Sequence, residues 1–209
     1  MLRRRRRNPC TGISHNWPVW GQDGVHQFML EQRDIYKYVH DQTLRLANHG
    51  MTIKEVGDAL QEPDFASDAL HIRGNYGMLY FNARAVYQKY YGAFDGRAVD
   101  LNPLPPEAEG KRYLKALGGE ARVLELAQEA IDGDDLQWAA TLVNHVVFAG
   151  SASTEARALL AAIYRNMAYR AESGIERNIC LAGAQELEDG VKVLPAAGGR
   201  NAELAATLT

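Results

Sequence analysis

The stretch DGVHQFMLEQRDIYKYVHDQTLRLANHG, residues 23–50, decides the fold. Its apolar residues Val25, Phe28, Met29, Ile35, Tyr36, Val39, Leu44, Leu46 and Ala47 recur mostly at steps of three and four with polar residues between them. That is the spacing of one helix face, not the alternation of a strand. Asp23 stands near the start, where a negative charge suits the helix dipole. Asn48-His49-Gly50 supplies the stop, because glycine takes the left-handed C-cap conformation at little cost.

Outward from this helix the punctuation is equally regular. Thr52 and Glu55 have the spacing of a capping box, opening a second helix that runs through Leu60 and is closed by Pro63. A third is expected from about Tyr76 to Tyr91. Asp95, Gly96, Asn102, Pro103, Leu104, Pro105 and Pro106 then form a connector too rich in proline to be helical. Pro106 suits the first turn of the next helix, with Glu107 and Glu109 placed favourably for its dipole. Gly118-Gly119 and Asp132-Gly133-Asp134 divide the remainder into helical segments near 106–117, 120–131, 134–149, 154–170 and 175–188. Nothing alternates at period two, so the chain reads as all-α, an antiparallel helical bundle or array with no sheet.

Within it, Gly133–Tyr169 is similar to one tetratricopeptide-type hairpin. Small residues such as Ala139 and Ala161 permit close helix approach, while Trp138 and Tyr164 are expected to fill the space between. One hairpin cannot bury its own faces and has to stack on neighbours or on a second subunit.

Composition narrows the function classes. The 209 residues are 46% hydrophobic and 23% charged, enough for a real core. The longest unbroken apolar run, Ala158–Tyr164, falls far short of the roughly 18 residues of a spanning helix, so a soluble chain is expected. The formal charge of -3 hides an asymmetry: without Arg3–Arg7, 18 basic residues face 26 acidic ones, a balance of -8. An acidic body lacks the basic groove of a nucleic-acid binder, so no nucleic-acid partner is expected. The arginine run is not followed by the apolar segment of a secretory signal. Cys10 and Cys180 have no framework or zinc-site spacing.

Local chemistry is sparse. The histidines at 15, 26, 40, 49, 71 and 145 form no HxH, HExxH or HxxxH pair. His145, beside Val146, Val147 and Phe148, reads as a hydrogen-bonded core histidine. His40 and Asp41 point in different helical directions, so no dyad is implied. No GxSxG elbow surrounds any serine, Ser14 included. Gly74, Gly77 and Gly92 form no phosphate-binding fingerprint. No catalytic residue is assigned.

Several strings taken together carry more. Ser14-His15-Asn16-Trp17-Pro18-Val19-Trp20-Gly21 is followed by Gln32 to Gly50, then Arg73-Gly74-Asn75-Tyr76-Gly77, Ala85-Val86-Tyr87-Gln88-Lys89-Tyr90, Asp95-Gly96 and Leu101-Asn102-Pro103-Leu104-Pro105-Pro106. Gly133-Asp134, Trp138-Ala139-Ala140, Asn144-His145-Val146-Val147-Phe148-Ala149 and Ala171-Glu172-Ser173-Gly174 continue the series. In this order they resemble the zinc-dependent alkylsulfatases with a metallo-β-lactamase-fold catalytic domain, from about residue 14 to 188.

The resemblance implies three parts in such a protein: a two-zinc catalytic domain, a helical dimerisation domain, and a C-terminal domain resembling sterol carrier proteins. It places residues 1–20 as a non-family N-terminus and remnant of the first part. Residues 21–190 are the helical dimerisation domain, and 191–209 a tail or truncated linker. It implies His15 as one zinc ligand, left as an orphan because the HxHxDH motif is absent from the chain. A catalytic zinc takes about three protein ligands, so zinc and the hydrolysis of alkyl sulfates such as dodecyl sulfate are expected of the full-length parent and not of this chain alone.

A homodimer is implied, its helical arms interlocking and helping to enclose the catalytic pocket. A tetratricopeptide-like scaffold for another protein is the alternative. The family includes periplasmic or secreted and cytoplasmic members, so it fixes no compartment. The chain departs from the family at Tyr80-Phe81-Asn82, where a Ser-His-Asn string near the sulfate pocket is usual, and at Ala93-Phe94, where an aromatic and tyrosine pair is common before Asp-Gly. Phe81 can neither donate a hydrogen bond nor titrate, and no sulfate contact is carried over to it.

Overall fold

The computed structural model describes residues 10–11, 17–66, 69–150 and 152–191. Eight helices account for nearly all regular structure among them: α1 (Gln22–Asn48), α2 (Ile53–Ala59), α3 (Leu79–Tyr91), α4 (Pro106–Leu117), α5 (Glu120–Asp132), α6 (Leu136–Phe148), α7 (Thr154–Arg170) and α8 (Gly174–Asp189). A two-residue antiparallel pairing of β1 (Cys10–Thr11) with β2 (Val19–Trp20) precedes α1. It is too short to form a layer on which helices pack, and the all-α class read from the sequence is the class observed. No helix among the described residues is long and apolar enough to cross a membrane.

The stops and starts fall where their chemistry puts them. Gly50, at φ +90°, follows the end of α1. Thr52 and Glu55 close a full capping box on α2, the Glu55 carboxylate accepting from the Thr52 backbone N–H and hydroxyl at 2.8 Å each. Pro106 opens α4 with Glu107 and Glu109 in its first turn. The start of α3 differs: it begins at Leu79 and not near Tyr76. The carbonyls of Asn75 and Tyr76 are taken by the Gly174 N–H (2.9 Å) and the Ser173 hydroxyl (2.8 Å), so they are not free to start a helical ladder.

The chain forms two compact units, Met1–Leu104 with Ala171–Arg177, and Pro105–Arg170 with Asn178–Thr209. In the first, Val39 and Leu46 of α1, Val56 and Leu60 from α2 and its C-cap, and Ala83 and Tyr87 of α3 make one buried cluster. In the second, α6 is the central helix and touches α4, α5 and α7. Its Leu136, Ala139, Ala140, Leu142, Val143 and Val146 are buried with Val123 and Ala127 of α5 and Ala156, Leu160 and Ile163 of α7. Each fully buried aliphatic side chain contributes about 1.5–3 kcal/mol.

The small residues act as spacers. Ala139 and Ala161 are buried, and Gly110 of α4 lies against the backbone of α6. Tyr164 is half-buried against the same core and Gly183 of α8, and burial pushes its phenol up. Trp138 does not fill the space between α6 and α7 as expected. The inward side of α6 is already taken by its aliphatic and alanine residues, and Trp138 falls on the other side, exposed.

Candidate functional site

The first unit contains a cleft of about 530 Å³ bounded by α1, the irregular segment 71–77 and α3. Its apolar lining is Ile35 and Val39 from α1, Ile72, and Ala85 and Val86 from α3. Gln32, His71, Arg73, Asn75 and Asn82 add polar groups, and Tyr36 and Tyr76 stand at its exposed margin. An apolar pocket with a few convergent polar groups is the usual form of a small-molecule site.

The helical members are placed by periodicity: Gln32, Ile35, Tyr36 and Val39 lie on one side of α1, and Asn82, Ala85 and Val86 on one side of α3. The segment between them has no helical ladder and is held from both sides. Toward α1, Gln32 Nε2 donates to the His71 carbonyl at 2.9 Å, His71 Nε2 meets Glu31 Oε2 at 2.8 Å, and the His71 ring stacks on buried Phe28 at 4.4 Å. Toward residues 171–177, Arg73 pairs with Glu172 at 2.8 Å, beside the Ser173 and Gly174 bonds already described. Arg73 Nε is buried without a hydrogen-bond partner, a donor on hand for an incoming acceptor. Gly77 makes room for Asn82: a Cβ there would stand 2.9 Å from the Asn82 amide nitrogen.

The residues singled out from the sequence distribute unevenly around this cleft. His15 and Ser14 lie outside the described residues, as does the Arg3–Arg7 run. Phe81 is exposed and not part of the cleft lining, so the departure from a Ser-His-Asn string leaves Asn82 as the contributing member. Phe94 is exposed as well. Two histidine readings are corrected. His40 and Asp41 do meet: Nδ1 to Oδ1 is 2.8 Å, because both side chains are partly solvent-exposed and free to bend toward each other. His40 Nε2 also reaches the Tyr90 hydroxyl at 2.9 Å, tying α1 to α3. Lys37 binds Asp41 on the other side, and these two contacts, the lysine's first, hold that carboxyl below its ordinary value. His145 is only half-buried and stacks on Tyr113 of α4 at 4.2 Å.

The sequence singles out Gln32–Gly50 and Arg73–Gly77 but does not join them into one site. Its missed members are His71 and Asn82. The available signal is Gly77, whose use is to admit the Asn82 side chain and not to cradle a phosphate. As for a metal, no three His, Cys, Asp or Glu side chains converge among the described residues. The cleft residues are not a zinc donor set.

Comparisons with known proteins bear on the whole helical region. The family model for alkyl sulfatase dimerisation matches residues 52–190. An (R)-specific secondary-alkylsulfatase from Pseudomonas sp is 41% identical over 185 residues, 88% of this chain and 28% of the relative. A linear primary-alkylsulfatase from Pseudomonas sp is 43% identical over 181 residues, 87% of this chain and 27% of the relative. An alkyl/aryl-sulfatase of Saccharomyces cerevisiae is 40% identical over 187 residues, 90% and 29%.

The solved structure of the stereoselective inverting sec-alkylsulfatase Pisa1 from Pseudomonas sp superposes with a TM-score of 0.83 at 41% identity, over 88% of this chain and 29% of that one. This chain thus spans less than a third of the length of the curated relatives it matches. With the model matched from Thr52 to Gly190 and relatives near 40% identity along most of its length, this protein belongs to the alkyl sulfatase dimerisation family.

Proposed function

We propose that this chain is the self-associating module of an alkylsulfatase, and that its cleft forms part of the wall against which an alkyl sulfate ester lies. The observation that carries the reading is the two-sided character of the cleft. An aliphatic lining suits a hydrocarbon chain, and Arg73, Asn75, Gln32 and Asn82 suit a small anionic head. Arginine's fixed fork of donors matches a tetrahedral oxyanion better than a lysine would.

Two of the relatives are named for secondary and linear primary alkyl sulfates, which is the same chemical class. In this reading the ester hydrolysis, its zinc and His15 as one zinc ligand belong to a complete enzyme, and the present residues bind, orient and associate. The partner is a second copy of the chain. Sedimentation velocity of the full chain at micromolar concentration tests the association: a species of twice the 23.2 kDa chain mass is expected. Monomer alone overturns the reading.

A further inference from the structure

His40 and Asp41 of α1 and Tyr90 in the last turn of α3 form a chain of polar contacts outside the cleft lining. Asp41 Oδ1 stands 2.8 Å from His40 Nδ1, and His40 Nε2 stands 2.9 Å from the Tyr90 hydroxyl. The hydrogens of this chain are placed by elimination. The Lys37 ammonium on the other carboxylate oxygen, and then the His40 contact, hold Asp41 below its ordinary value, so the carboxylate is ionised and can only accept. His40 Nδ1 therefore carries the hydrogen. In the neutral ring Nε2 is then a bare acceptor, and the Tyr90 O–H donates to it. Carboxylate, imidazole and hydroxyl stand in the order that turns a hydroxyl into a nucleophile.

We propose that Tyr90 is a nucleophilic modification site whose phenol takes the acyl group of an activated ester, with His40 as the base. Access is open: Tyr90 is 51% exposed and the His40 side chain 41%. As the phenol oxygen bonds to the ester carbonyl carbon, its proton passes to His40 Nε2. The tetrahedral adduct then expels the leaving group with its bonding electron pair, and the imidazolium returns its proton to that group or to water. One acyl group is left as an aryl ester on Tyr90, and nothing is oxidised or reduced. Asp41 is a positioning residue, keeping hydrogen on Nδ1 and balancing the imidazolium that forms. Lys89 Nζ, 5.6 Å from the centre of the Tyr90 ring, favours the negative charge that gathers on the phenol as its proton leaves.

A purely structural tie does not need this arrangement. Exposed ion pairs and hydrogen bonds add little to stability, and α1 is already held to α3 by buried Val39, Leu46, Ala83 and Tyr87. One turn away, the Tyr91 hydroxyl donates to Asn48 Oδ1 at 2.6 Å and ties the same two helices with a single bond and no base. The charged and titratable groups facing His40 are Asp41, with Lys37 behind it, from α1, and Tyr90, with Lys89 beside it, from α3.

The test treats the full chain with 4-nitrophenyl acetate and follows acetylation of each tyrosine by peptide mass spectrometry, for wild type, H40Q and D41N. Glutamine keeps a hydrogen-bonding partner for Tyr90 but cannot take its proton, and circular dichroism checks that each variant is folded. Tyr36 and Tyr169, each 73% exposed, are the internal references. Wild-type Tyr90 is expected to react roughly tenfold or more faster than either, and H40Q and D41N to lose most of that advantage. The pH profile is a second readout on the unaltered chain. The Tyr90 rate should level off by about pH 8, once the imidazole is neutral, whereas the Tyr169 rate keeps rising about tenfold per pH unit as phenolate accumulates. Tyr90 reacting no faster than Tyr169, H40Q reacting like wild type, or an acetyl group on Lys89 or His40 with none on Tyr90 would each overturn the proposal.

Discussion

Gly110 of α4 lies so close to His145 of α6 that a Cβ on the glycine would stand 2.6 Å from the histidine carbonyl oxygen, and 3.1 Å from the Ala149 nitrogen. Both neighbours are backbone, so neither can swing aside. The contact sets how near α4 comes to α6, and through it the stacking of Tyr113 on His145. G110A is expected to lower stability by about 1–3 kcal/mol, although the same change in an open helix stabilises. Urea unfolding followed by circular dichroism checks the sign.

The capping box of α2 gives a pH prediction. Hydrogen bonds from the Thr52 backbone and hydroxyl hold the Glu55 carboxyl below its ordinary value. A carboxylate favoured in the folded state contributes stability above its unfolded pKa and loses it as pH falls through the lower folded value. Melting temperatures recorded from about pH 6 down to about pH 3 should therefore fall more steeply for wild type than for E55Q. T52A should cost about 1 kcal/mol at neutral pH, and parallel curves for wild type and E55Q would refute the assignment.

Ser173 is buried, and its hydroxyl donates to the Tyr76 carbonyl across 97 residues of chain. S173A leaves that carbonyl without its side-chain donor, at a cost of about 1–3 kcal/mol. The stronger expectation is local: amide exchange in residues 72–77 should speed up in S173A and in E31Q, from the two opposite anchors, while exchange in α5 and α6 stays unchanged. Unchanged exchange in both variants would mean that the segment holds its shape unaided.

If the cleft receives the anionic head of an alkyl sulfate, Arg73 supplies its charge-assisted contact. R73L is expected to weaken binding of octyl sulfate roughly tenfold or more, measured by calorimetry well below the detergent's micelle threshold. F81H should leave binding within about twofold, because Phe81 does not line the cleft. Equal affinity in wild type and R73L would remove the cleft from the proposed function.

The extent to which the sequence announces this molecule follows from how local each signal is. Helices α1 and α4 are legible to within a residue or so because their periodicity and caps lie inside the segment: Gly50, Pro106 and the Gly118-Gly119 pair need no partner to act. The start of α3 is not legible, since what stops a helix at Tyr76 is a hydrogen bond from Ser173, far along the chain. Trp138 is misplaced for a related reason. Its size suggests burial, but the inner side of α6 is already taken by that helix's own leucines, alanines and valines. The cleft lies between these cases. Its strings Gln32–Val39 and Arg73–Gly77 stand out by resemblance, yet their meeting depends on Gln32, Glu31 and Phe28 gripping His71. No spacing rule encodes that.

The return of residues 171–177 to the first unit has a consequence in time. During synthesis α1, α2 and α3 leave the ribosome before residues 171–177, and their apolar cluster already has every residue it needs. The segment bearing Arg73, Asn75 and Tyr76 has to wait for Glu172, Ser173 and Gly174, nearly a hundred residues later. Contacts of such long sequence separation form late and slowly. The cleft is thus the last part of its unit to mature, and a chain released before residue 174 carries the helices of the site without the site.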